Sequence, residues 1–208
     1  MKLAYLLAGG MSRRFGSNKA RVLVRGKPLV VTLAEDLNRL DWQVSIVAQN
    51  TDDYGDLGLP AIADLHRDSG PMAGIMAALS NCQSRGFESC LIANCDLIPS
   101  KGDWPKNWAW LDAMETLWSS SSSSIVVFES IHFMPLPGLY ASSLCELATE
   151  LWDTGKRSLR DLHQAVQESE QPAIAKVSWP GKDIPRTFNT PQELSAILAD
   201  RSDSETIS

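Results

Sequence analysis

"LLAGGMSRRFGSNKARVL", residues 6–23, is the stretch on which the fold turns. It completes the apolar run "KLAYLLA" (2–8), breaks at Gly9 and Gly10, and then gives most of the next ten residues to Ser, Arg, Gly, Asn and Lys before an apolar pattern returns. A run of that length ending on paired glycines reads as a buried strand that feeds a tight loop. Small residues let the loop fold back so that its N–H groups converge, and Arg13, Arg14 and Lys19 add local positive charge. Converging amides with cations at a strand end form an anion cradle, and phosphate fits it. The alternative is a surface turn with solvated charges. The spacing excludes a Walker A loop, because Gly16 is followed by Ser17 and Lys19 by Ala20. It also excludes the dinucleotide fingerprint: Gly9, Gly10 and Gly16 are wrongly spaced, and no helix is expected to begin inside the loop.

Working outward, strand-length apolar runs alternate with helical patterns, the mark of βαβ units around a parallel sheet. "PLVVTLAEDLNRL" (28–40) is a helix with Pro28 in its first turn, and "QVSIVAQ" (43–49) is a buried strand. A polar turn follows, then a short strand at 60–63 that ends on Asp64. "PMAGIMAALSNC" (71–82) is a helix opened by Ser69, Gly70 and Pro71, and "SCLIANCD" (89–96) is a strand ending on an acid. Further on, the sequence predicts a Trp-rich helix over 104–118, a serine loop at 119–124 and strands at 125–130 and 136–142. Helices at 142–154 and 156–169, a strand near 173–179 and a helix at 190–200 capped by Thr190 and Glu193 complete the pattern. The expected fold is α/β: three layers, doubly wound, on a mostly parallel sheet. Residues 1–200 are expected to form one domain and 201–208 a flexible tail.

A net charge of −6 argues against sequence-independent binding to nucleic acid, so any anion site is local. Cys82, Cys90, Cys95 and Cys145 form no C-x-x-C pair and read as reduced, mostly buried thiols. No apolar run approaches the ~18 residues needed to cross a bilayer, and the chain starts on a strand instead of a signal core. A cytoplasmic protein without membrane contact is expected.

"LAGGMSRRFGSNKA" (7–20) resembles the L-A-G-G-x-S-x-R-x-G-x-x-K-A signature of the molybdenum cofactor guanylyltransferases and their cytidylyl-transferring relatives. That resemblance implies a Rossmann-like nucleotidyltransferase fold of the nucleotide-diphospho-sugar transferase type. It implies that Leu7, Ala8, Gly9 and Gly10 line a nucleotide site, that Arg14 binds phosphate, and that Lys19 neutralises charge as pyrophosphate leaves. Asp96 in "CDLIPS" matches the family's Cys-Asp-x-Pro stretch, with Pro displaced to 99, and would hold Mg²⁺ on the triphosphate; the other reading of Asp96 is a turn cap. Asp64 ahead of "SGPMAGI" would help hold the nucleotide, while Pro71 and Gly74 read as structural and Asp68 as a complement to the helix dipole.

"FNTPQEL" (188–194) is similar to the family's Asn-x-Asn-Thr-Pro close, with Thr187 where the first Asn would stand. Asn189 is then a ligand of metal or acceptor, or part of a plain turn. "GKRSLRDL" (155–162) is similar to an element near the acceptor pocket, where Arg157 meets the acceptor phosphate or lies on a solvated helix face. Ala48 stands where the family often has Asn, and His66, His132 and His163 receive no role. The implied activity is Mg-dependent transfer of GMP from GTP to the phosphate of molybdenum-molybdopterin, with release of pyrophosphate. Transient contact with molybdenum insertion proteins or molybdoenzymes would follow. Two alternatives stay open: a cytidylyltransferase or related NTP transferase with another phosphorylated acceptor, and a non-catalytic cofactor-binding module that uses the Trp-rich segment as its interaction face.

Overall fold

The computed structural model of the chain describes residues 1–8, 15–16, 18–24, 26–66, 70–98, 108–169, 173–179 and 186–202. In chain order these hold β1 (Lys2–Leu7), the short pair β2 (Leu23–Val24) and β3 (Lys27–Pro28), α1 (Leu29–Arg39), β4 (Trp42–Ala48) and β5 (Ala61–Ala63). Then come α2 (Pro71–Ser84), β6 (Ser89–Asn94), α3 (Ala109–Ser120), β7 (Ile125–Phe128) and β8 (Gly138–Ala141). α4 (Leu144–Asp153), α5 (Leu159–Glu168), β9 (Ile174–Val177) and α6 (Pro191–Ser202) complete the described elements.

Seven strands form one sheet in the order β5-β4-β1-β6-β8-β7-β9. β1 runs parallel to both β4 and β6, with Leu3 opposite Gln43 on one side and Cys90 on the other. Only β8 runs against its neighbours. β1 is an unbroken apolar run because both its faces are covered, as in parallel sheets generally. Leu3 and Tyr5 pack into the layer built by α2, α4 and α5, whereas Ala4 and Leu6 pack into the layer containing α1 and α3. The doubly wound expectation therefore holds. The chain leaves β1 toward β4 through α1 and returns from β5 to β6 through α2 on the opposite face, so the order reverses beside β1. Ligands in open α/β sheets bind at that reversal, beyond the carboxyl ends of the strands.

Several local expectations need correction. Ser119 and Ser120 belong to the last turn of α3 instead of a loop: their hydroxyls donate to the Glu115 and Thr116 carbonyls at 2.9 and 2.8 Å, as serine does when it bonds back along a helix. The helix predicted from residue 156 starts at Leu159, because Ser158 is its N-cap in a capping box with Asp161. The polar turn after β4 is a 3-10 helix, Thr51–Leu57, capped by the Asn50 side chain. Asp96 lies two residues past the end of β6. The final helix extends to Ser202 instead of stopping at 200. The first four residues of the predicted Trp-rich helix, 104–107, lie outside the described residues, while Trp108 and Trp110 are core. All four cysteines are free, and Cys82, Cys90 and Cys95 are buried.

Candidate active site

The end of β1 is tied to its neighbours beyond the ladder itself. The Ala8 N–H donates to the Val47 carbonyl at 2.8 Å, and the Cys95 N–H donates to the Leu7 carbonyl at 3.2 Å. Those bonds bring the segment after β6 alongside the start of the glycine loop. Gly9, Gly10 and Arg14 lie outside the described residues. At the loop's far end the chain closes into a 3-10 turn, Lys19–Arg21, where no helix was expected. The Asn18 side chain caps it by accepting from the Ala20 N–H, and its amide donates to the Tyr54 hydroxyl at 2.8 Å. Tyr54 is fully buried, so this bond fixes the loop end against the core.

Lys19 and Asp96 meet there. The Lys19 ammonium donates to Asp96 Oδ2 at 2.9 Å, to the Phe188 carbonyl at 2.6 Å and to Asn189 Oδ1 at 3.1 Å. Both side chains of the ion pair are about 15% exposed. Asn189 arrives from 170 residues away because Arg186 and Ile98 exchange backbone hydrogen bonds at 2.7 and 2.9 Å, an antiparallel bridge just past Asp96. Phe188 is fully buried, with the Lys19 ammonium 5.5 Å above its ring and Phe15 against it at 5.3 Å. Asp96 Oδ1, by contrast, is buried with no hydrogen-bond partner among the described residues.

A buried carboxylate oxygen without a donor is costly unless something positive reaches it. The oxygens of Asp96, Asn189 and Phe188 converge on one cation, and hard divalent ions choose such oxygen ligands. Among the described residues no group of three or more His, Cys, Asp or Glu could hold a metal by itself. Next to Asp96, burial pushes the Cys95 thiol up to about 12, with the aspartate's charge adding to the effect, so Cys95 stays protonated and is no nucleophile.

Asp64 follows β5, its N–H bonded to the Ala48 carbonyl at 2.8 Å. Its Oδ1 accepts from the His66 N–H at 3.2 Å, and burial raises its pKa above the usual carboxylate range. A methyl group on Gly74 would sit 3.3 Å from Leu7 Cδ2 and 3.8 Å from Asp64 Oδ2. The bare glycine on α2 thus leaves room for both side chains, and Leu7, Ala8 and Asp64 share the sheet edge with Lys19 and Asp96. Arg157 precedes α5 instead of lying on its solvated face, with its guanidinium 4.8 Å over the Trp152 ring. Trp152 in turn stacks on His66 at 4.3 Å. Asn50 is engaged in its own cap, donating to Asp53 at 2.9 Å. Sequence reasoning missed the Phe188 carbonyl, Asn18 and Tyr54; of these only Asn18 left a signal, as a capping residue type just before Lys19.

Residues 4–171 match the family described as MobA-like NTP transferase domain. A probable molybdenum cofactor guanylyltransferase of Aquifex aeolicus is 25% identical over 94% of this chain and 89% of its own length. A molybdenum cofactor guanylyltransferase of Xanthomonas euvesicatoria is 28% identical over 95% of both chains. Among solved structures, the molybdopterin-guanine dinucleotide biosynthesis protein A of Archaeoglobus fulgidus superposes with a TM-score of 0.71 at 22% identity, covering 98% of this chain and all of that one, a likeness of fold. With the family match spanning most of the chain, this protein belongs to the MobA-like NTP transferase domain family.

Proposed function

We propose that this protein transfers GMP from GTP to the terminal phosphate of molybdenum-molybdopterin, forming molybdopterin guanine dinucleotide and releasing pyrophosphate. The observation that supports it most is the contact of Lys19 with Asp96 at 2.9 Å, 77 residues apart in sequence, at the edge where a nucleotide-binding sheet places its ligand. In the reaction an oxygen of the acceptor phosphate attacks the α-phosphorus of GTP in line. A new phosphorus–oxygen bond forms as the bond to the bridging oxygen breaks, and the electron pair leaves with pyrophosphate. The protein's task in such a transfer is positioning and charge stabilisation.

Lys19 is held by three oxygens, so its ammonium is oriented before substrate arrives and can exchange one of them for a phosphate oxygen. Arg14 adds positive charge along the triphosphate. Leu7 and Ala8, followed in sequence by Gly9 and Gly10 of the family signature, are the residues for the nucleoside, and Asp64 accepts from its polar edge. Asp96 Oδ1, with Asn189 Oδ1 and the Phe188 carbonyl near it, would hold Mg²⁺, which neutralises phosphate charge when bound. The low exposure of Lys19 and Asp96 strengthens these interactions. Arg157, fixed against Trp152, is the residue for the acceptor's negative charge.

The experiment is pyrophosphate release measured with each of the four NTPs, with and without molybdopterin, in the presence and absence of Mg²⁺. Release only with GTP, acceptor and Mg²⁺ together supports the reading. Preference for CTP would transfer it to the cytidylyl-transferring relatives, and no release with any NTP would leave a binding module.

A further inference from the structure

A cavity of about 390 Å³ lies toward the β9 side of the sheet, between the 130–134 loop, β7, β9 and α5. None of its lining residues belongs to the Lys19–Asp96 site. Its walls carry Arg160, Lys176, His132 and Gln164, and no aspartate or glutamate lines it among the described residues, in a chain whose net charge is −6. No carboxylate pairs with Arg160 or Lys176 among those residues; the Arg160 guanidinium is instead held 4.8 Å over the ring of Phe133, which also lines the cavity. An exposed aromatic packed against a guanidinium fixes the plane of that group and leaves its N–H edges for an anion.

One lining residue, His163, is held by a buried polar contact. The Tyr140 hydroxyl donates to the Pro135 carbonyl at 2.7 Å and lies 3.0 Å from His163 Nε2. A carbonyl only accepts, so the single phenolic proton goes to Pro135, and Nε2 must carry a proton to donate to the tyrosine oxygen. His163 is only 6% exposed and lines the cavity, and burial, with the charge of Lys176 as a second cause, holds its pKa down at about 4. The ring is therefore neutral, and Nδ1 keeps a lone pair that no described residue satisfies. Two cationic donors and a buried histidine thus line one partly open cavity.

We propose that this cavity is a second ligand site, for a small organic oxyanion that carries a hydroxyl or amino group beside its negative charge. The oxyanion is held by Arg160 and Lys176, and the hydroxyl or amino proton is donated to His163 Nδ1. The volume lies within the range of small-molecule sites. The proposal goes beyond the transfer reaction and does not depend on it.

Isothermal titration calorimetry of the full chain with malate, succinate and glycerol 3-phosphate tests it. Malate and succinate differ by one hydroxyl. The expected result is saturable binding of malate or glycerol 3-phosphate, with succinate at least about tenfold weaker than malate if dicarboxylates bind. Arg160 is exposed, so Arg160→Gln leaves the fold intact, and it should weaken binding at least about tenfold while Lys19→Ala changes it less than about twofold. Whichever of malate and glycerol 3-phosphate binds tighter identifies a carboxylate or a phosphate ester as the natural group. Three results overturn the proposal: no saturable binding of any probe, equal binding of malate and succinate, or loss of binding in Lys19→Ala but not in Arg160→Gln.

Discussion

Lys19 and Asp96 hold each other in place, but their removal has unequal consequences. Among the described residues Lys19 is the one donor to Asp96, whose other oxygen has no partner there, so Lys19→Met leaves a largely buried charge without that donor. It should cost about 2–3 kcal/mol in denaturant unfolding. Asp96→Asn keeps an oxygen for the ammonium, and its unfolding midpoint should stay near that of the unmodified protein. Asp64 works in the opposite sense. Burial raises its folded pKa, so the folded state takes up a proton more readily than the unfolded chain, and stability falls as pH rises from the ordinary carboxylate value through the raised one. Asp64→Asn should therefore stabilise the ligand-free protein at neutral pH, within about 1 kcal/mol, with the gain vanishing below about pH 4. Thermal melts of both forms at the two pH values check this. Asp96 and Asp64 stood out as acids closing apolar strands, whereas Lys19 was reached through the resemblance of residues 7–20 to the family signature. The Phe188 carbonyl was not, since any residue type offers one and only the Ile98–Arg186 bridge brings it to the site.

At the level of elements, two glycines separate crowding from backbone strain. A methyl on Gly138 in β8 would stand 2.8 Å from Tyr140 Cε2 and 2.9 Å from the Pro135 carbonyl, in ordinary strand backbone. Gly138→Ala should cost at least about 2 kcal/mol and loosen the loop over the second cavity. Gly70 before α2 has open space around it but a φ of 79°. Gly70→Ala should cost about 1–3 kcal/mol although nothing crowds the site, because a positive φ with an extended ψ is open almost only to glycine. Urea unfolding of the two variants checks both, and a neutral effect of either substitution would contradict this assignment. Strands and helices of the first half were readable because every βαβ unit there obeys a clean period. The β2–β3 pair and the 3-10 helix after β4 were not: two-residue strands have no period, and Tyr54 anchors its segment through contacts that spacing does not reveal.

For the whole molecule, the two-faced burial of β1 and the helices in alternating layers were written in the sequence, and the reversal of β8 was not, because an apolar run carries no direction. The buried His163 links the second half of the fold to pH. Its folded pKa of about 4 lies below the ordinary value of 6.5, so the stability its neutral form contributes is complete above pH 6.5 and is lost as pH falls toward 4. With Tyr140 and Lys176 facing it, the loss should reach about 3 kcal/mol over that window. His163→Gln should flatten that part of the stability-against-pH curve.

We propose that Lys19 and Asp96, joined at the edge of the sheet, carry out nucleotidyl transfer. Single-turnover transfer from GTP to molybdopterin by Lys19→Ala and Asp96→Ala tests it most directly, with circular dichroism to verify the fold. Each variant should be slower by at least about a hundredfold. Near-normal transfer by either one, in a folded protein, would contradict the claim.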